Sequence, residues 1–105
     1  MIDIKTGIWI NEDALLFQAV RSSGPGGQHV NKVSSKIILV CPLDKIKGLS
    51  EKQAETIKQK LKSYVADEEI RVTSQKHRSQ YSNKLDAIGK LQSLLQKALK
   101  EKKQR

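Results

Sequence analysis

Apolar and polar positions alternate, cluster and recur along the chain in a way that predicts most of its elements. Residues 1–14 carry scattered apolar positions at Ile2, Ile4, Ile8, Trp9 and Ile10, then the turn-forming run Asn11-Glu12-Asp13, and a short edge strand over 8–10 fits them. Residues 15–21 alternate in part, with Leu15, Phe17 and Ala19 on one face and Leu16, Gln18 and Val20 on the other, which predicts a strand. A second strand is predicted over 32–41, rich in Val33, Ile37, Ile38, Leu39 and Val40, and Pro42 closes it by removing a ladder donor. Between these strands, residues 21–35 contain no acid and no apolar anchor before Val30. A polar connection of this length in so small a domain is more often functional than not.

Helical spacing takes over in the second half. Ser50 and Gln53 have the three-residue separation of a capping box, and Ala54, Ile57, Leu61 and Tyr64/Val65 follow at the helical period. Asp67-Glu68-Glu69 reads as a polar turn, and residues 70–74 alternate as a third strand with Ile70 and Val72 inward. From 79 to 100, Tyr81, Leu85, Ile88, Leu91, Leu95 and Leu99 recur at threes and fours, predicting a long amphipathic helix whose stripe is core, with Gly89 a tolerated weak point. The order β-β-α-β-α predicts an α+β fold. We expect a two-layer sandwich on a small, mainly antiparallel sheet, with the loop 21–35 between the first two main strands.

Composition narrows the class. At 105 residues the chain suits one domain, over 1–105, with a single modest core. Lys and Arg number 20 against 11 Asp and Glu, a net charge of +9 that favours an anionic polymer as partner and salt-sensitive binding. Cys41 is the single cysteine, so no intramolecular disulfide can form; it is expected to be a small buried hydrophobe. No stretch approaches the roughly 18–20 apolar residues of a membrane span, and the N-terminus lacks the features of a secretory or transit signal. The expectation is a cytoplasmic monomer without a membrane partner.

Candidate chemistry concentrates in 21–35. Gly26 and Gly27 allow positive φ and close backbone approach to a ligand, Gln28 offers an amide that donates and accepts, and Arg21 and Lys32 flank them with positive charge. A dinucleotide fingerprint would need glycine at His29, and the Gly-Lys-Ser/Thr of a P-loop is absent. His29 and His77 have no neighbouring ligand spacing, so no metal is expected. No carboxylate pair flanks the loop, which makes acid–base work by Asp or Glu improbable. Catalysis here would rest on positioning and backbone dipoles.

The run Arg-Ser-Ser-Gly-Pro-Gly-Gly-Gln-His-Val-Asn-Lys-Val-Ser-Ser over 21–35 resembles the Gly-Gly-Gln loop of class I peptide-chain release factors. It is most similar to that of their stand-alone relatives, codon-independent peptidyl-tRNA hydrolases that rescue stalled ribosomes. A second similar patch is Arg78-Ser79-Gln80 with Asn83 following, although Lys84 stands where the family commonly has Arg. The resemblance implies hydrolysis of the peptidyl-tRNA ester in the peptidyl-transferase centre of the large ribosomal subunit, with no cofactor. Gly26, Gly27 and Gln28 would be catalytic: the Gln28 backbone N–H stabilises developing charge, its side chain admits water, and the glycines avoid a clash with the tRNA end. A 2′-hydroxyl of the tRNA in the P site would relay the proton. Arg21, Ser22, Ser23, Gly24, Pro25, His29, Asn31, Lys32, Arg78, Gln80 and Asn83 would support the loop or contact rRNA. Ser79 is favoured as a helix cap.

Two departures from the family shape the expectation. Full release factors carry additional stop-codon-reading domains, for which 105 residues leave no room. Stand-alone rescue factors usually continue past the last helix as a long basic tail. Here a basic stub over 97–105 (Lys97, Lys100, Lys102, Lys103 and Arg105) stands in its place. Alternatives are the catalytic domain of a conventional stop-codon-dependent factor and a non-catalytic ribosome- or RNA-binding module.

Overall fold

Strict alternation along one central strand frames the molecule, which is a computed structural model describing residues 1–20 and 36–100. In β4 (Lys36–Pro42), Ile37, Leu39 and Cys41 are buried while their neighbours are half-buried. Antiparallel partners flank it on both sides. On one side β3 (Leu16–Val20) places Phe17 opposite Leu39 and Ala19 opposite Ile37. On the other, β7 (Glu69–Ser74) places Val72 opposite Leu39 and Ile70 opposite Cys41, with Ile70 and Val72 inward as expected. A two-residue strand, β6 (Val65–Ala66), completes the order β3-β4-β7-β6.

The N-terminal residues do more than their scattered apolar pattern suggests. Both β1 (Ile2–Lys5) and β2 (Ile8–Ile10) form, and with β5 (Ile46–Lys47) they make a second antiparallel sheet. The expected edge strand over 8–10 is therefore the middle strand of its own sheet. Alternation in β1, with Ile2 and Ile4 buried and Asp3 and Lys5 exposed, spans only four residues, too short to register as a period. Ile2, Ile4, Ile8, Ile10 and Ile46 join the same core as the main sheet. Asn11 caps a 3-10 turn, Glu12–Ala14, by accepting from the Asp13 amide, in place of a plain turn.

Both helices start where their caps predict. In α1 (Glu51–Lys60), the Gln53 amide donates to Ser50 Oγ at 3.1 Å and the Ser50 amide to Gln53 Oε1 at 3.0 Å. The helix ends at Leu61, followed by a 3-10 turn, Lys62–Tyr64, so Tyr64 and Val65 do not extend its stripe. Val65 instead pairs with Ile70 in a hairpin whose turn residues, Asp67 (φ 53°) and Glu68 (φ 64°), are both left-handed. That is the geometry a two-residue hairpin needs. Ser79 caps α2 (Gln80–Ala98), accepting from the Ser82 amide at 3.0 Å.

The helix α2 packs across β4, β7 and β1 and touches α1. Its buried face is Asn83, Ala87, Leu91, Leu95 and Ala98. Leu91, Leu95 and Leu99 are core as the periodicity predicts, but the first half of the stripe is not: Tyr81 is 69% exposed and Leu85 52%. Asn83 and Ala87 take the inward positions there; at about 100° per residue, Leu85 is turned about 120° from Leu91. The fold is α+β, with antiparallel sheets and two helices among the described residues.

Candidate functional site

The two stretches that resemble release-factor motifs, 21–35 and 78–83, are distant in sequence. Sheet register brings their attachments to one end of the molecule. β3 and β4 pair up to Val20 and Lys36, so the chain leaves the main sheet and returns to it at adjacent positions, with Cα atoms about 4.5–5.5 Å apart in such pairs. One register step inward, Ile37 of β4 faces Ser74, the last residue of β7. The turn 75–78 and the start of α2 come directly after it. Gly26, Gly27 and Gln28, with Arg21, Ser22, Ser23, Gly24, Pro25, His29, Asn31 and Lys32, lie outside the described residues, as do Lys102, Lys103 and Arg105. What the structure presents is the platform on which 21–35 is anchored.

A buried polar brace holds that platform. Asn83 is fully buried; its Oδ1 accepts from the His77 amide at 2.9 Å and its Nδ2 donates to the His77 carbonyl at 3.0 Å. Ser74 Oγ lies 2.6 Å from Asp86 Oδ2 and 3.2 Å from Asn83 Oδ1, and its single hydrogen favours the closer, charged acceptor. Lys76 and Lys90 flank the Asp86 carboxylate at 3.7 and 3.9 Å. The Ser74 hydroxyl foremost, then the charges of Lys76, Lys90 and His77, hold the Asp86 carboxyl below its ordinary range against the opposing effect of desolvation. Among the described residues no buried side-chain polar atom lacks a partner.

The brace sorts the sequence-predicted residues. Asn83 has no surface to offer a partner and instead closes the turn 77–83. Arg78 and Gln80 are exposed at that turn. Lys84 projects outward, its Nζ 4.9 Å from the centroid of the Phe17 ring, which ties α2 to the edge strand β3. Lys97 and Lys100 are exposed at the far end of α2, which at 19 residues is about 28 Å long. Ser74 and Asp86 were not legible as site residues. The one signal for them is an acid three residues after Asn83 on an otherwise acid-free helix face.

Cys41 offers no nucleophile. It is fully buried, and burial, with Asp44 nearby, pushes its thiol up to about 12. Among the described residues, no cluster of His, Cys, Asp and Glu could hold a metal ion, and no helix is long and apolar enough to cross a membrane.

Val20 and Lys36, which bound the segment carrying Gly26-Gly27-Gln28, and the braced turn carrying Arg78, Ser79 and Gln80 lie at the same end of the main sheet. Residues 2–105 match the RF-1 domain, and the chain belongs to that family, the Gly-Gly-Gln domain of class I release factors, which acts in translation termination or peptidyl-tRNA hydrolysis. The Meiotically up-regulated gene 82 protein of Schizosaccharomyces pombe is 35% identical over 91 residues, covering 83% of this chain and 50% of that protein. The chain thus spans about half the length of this curated relative.

Proposed function

We propose that this protein is a ribosome-dependent peptidyl-tRNA hydrolase that frees nascent peptides from stalled ribosomes without reading a codon. The observation that carries this reading is the match to the RF-1 domain over 2–105 in a chain that retains Gly26-Gly27-Gln28. The ester is already activated, so the catalyst needs to place a water and to offer a donor where negative charge develops. The Gln28 backbone N–H is that donor, its side chain selects water over larger nucleophiles, and Gly26 and Gly27 let the backbone reach the tRNA end. Arg21, Lys32 and Arg78 neutralise phosphate around the site, in keeping with the net charge of +9. The protein acts as a cytoplasmic monomer, with the ribosome supplying the rest of the catalytic pocket.

A second reading, the catalytic domain of a stop-codon-dependent factor, draws support from the relative being twice as long as the matched region. Ribosomes carrying peptidyl-tRNA on truncated mRNA, on a sense codon and on a stop codon separate the two. Codon-independent rescue predicts release on truncated mRNA; the second reading predicts release confined to the stop codon. Gln28→Pro, which removes the backbone N–H, distinguishes an enzyme from a mere binder, because co-sedimentation with ribosomes should survive while release fails.

A further inference from the structure

Tyr81 and Leu85 lie one turn apart on α2 and share a face, yet that face is turned to solvent, with Tyr81 69% and Leu85 52% exposed. Core packing does not account for an aromatic ring there. Two exposed bases stand on the same stretch of chain: Lys84, three residues on in α2, with its ammonium 4.9 Å from the Phe17 ring centroid, and Arg78, just before the Ser79 cap. Asp86 is the one acid in α2, and it is already engaged by Ser74, Lys76 and Lys90. An exposed aromatic and aliphatic strip, close in sequence to Arg78 and Lys84 and on a helix whose single acid is already engaged, complements a polyanion that carries flat apolar faces.

Unpaired RNA has that chemistry. Base faces in a duplex are covered by their neighbours, whereas an unstacked base can lie on an aromatic ring while its phosphate meets nearby cations. We infer that Tyr81, extended by Leu85, is a stacking platform for an unpaired RNA nucleotide, with Lys84 and Arg78 meeting the adjoining phosphates. The inference rests on the ribosomal reading above, since it names a second RNA contact at the end of the domain where 21–35 is anchored.

Fluorescence anisotropy of the full chain with a short labelled single-stranded RNA, and with a duplex of equal length, tests it. Tyr81→Ala should weaken single-strand binding by about tenfold, leave duplex binding unchanged, and be rescued by Tyr81→Phe. Lys84→Ala should instead lower the salt dependence of binding by about one counterion. Tyr81→Gln provides a second truncation should the alanine variant fold poorly. Undetectable single-strand binding by wild type, unchanged affinity in both truncations, or equal losses on duplex would overturn the platform. Loss of ribosome co-sedimentation with unchanged RNA affinity would overturn it too, assigning Tyr81 to a protein contact. Peptide release by wild type is scored separately. An active chain with unchanged RNA affinity in the Tyr81 variants removes this inference alone; an inactive chain that binds RNA through Tyr81 removes the hydrolase reading alone.

Discussion

Asn83 hydrogen-bonds both the amide and the carbonyl of His77, at 2.9 and 3.0 Å, so one buried side chain closes the turn that leads into α2. Ser74, at the end of β7, places its Oγ 3.2 Å from the same Asn83 Oδ1. The turn carrying Arg78 is thereby locked to the sheet end where Val20 and Lys36 anchor the Gly-Gly-Gln segment.

Removing that amide strands buried groups on two elements. Asn83→Ala should cost about 2–4 kcal/mol, the penalty for unsatisfied buried donors and acceptors plus a small cavity. Gln80→Ala, at an exposed neighbouring position, should stay within about 0.5 kcal/mol of wild type. Urea midpoints of the two variants check this; similar values for both would contradict the brace.

Asp86 gives stability a pH signature. Its folded carboxyl is held below the ordinary range by the Ser74 hydroxyl first and by nearby cations next, so its contribution is complete above the unfolded value of about 3.9. As pH falls through the lower folded value, that contribution is lost. Urea midpoints between about pH 6 and about pH 2 should therefore decline less steeply in Asp86→Asn than in wild type. Parallel declines would show that the carboxyl is not held down.

Gly7 and Gly48 share a left-handed φ of +83° but differ in surroundings. A Cβ on Gly48 would overlap the Gly7 carbonyl oxygen, whereas one on Gly7 would meet nothing within 4 Å. Gly7→Ala should cost about 1–2 kcal/mol from backbone strain alone. Gly48→Ala should cost more, about 3 kcal/mol or above, because backbone must also move. Thermal melts of both variants decide it, and equal losses would refute the close approach.

Long elements with a clear period were legible: β4 and β7 follow from alternation and the α1 cap from the spacing of Ser50 with Gln53, while the Ser79 cap of α2 came from the family resemblance around Arg78-Ser79-Gln80. Short ones were not. Two-residue strands such as β5 and β6 exist because a neighbour offers ladder partners, which leaves no local period to read. The stripe of α2 misled at Tyr81 and Leu85 because spacings of threes and fours drift around the helix, leaving Leu85 about 120° from Leu91; Ala87 and a hydrogen-bonded Asn83 hold the buried face there instead. For the site, the Gly-Gly-Gln run was plain in the sequence. The brace was hidden, because Ser74 and Asp86 acquire meaning only once β7 and α2 are placed side by side.

The proposed hydrolysis is carried by the segment that joins Val20 to Lys36. Its most direct measurement is release of labelled peptide from ribosomes bearing peptidyl-tRNA on truncated mRNA, with wild type and Gly27→Ala in parallel. Wild type should release peptide, and Gly27→Ala should lose about a hundredfold or more with ribosome binding retained, because a Cβ there holds the Gln28 N–H away from the developing charge, equivalent to losing that preorganised donor. Equal release by both proteins, or none by wild type while it sediments with ribosomes, would contradict it.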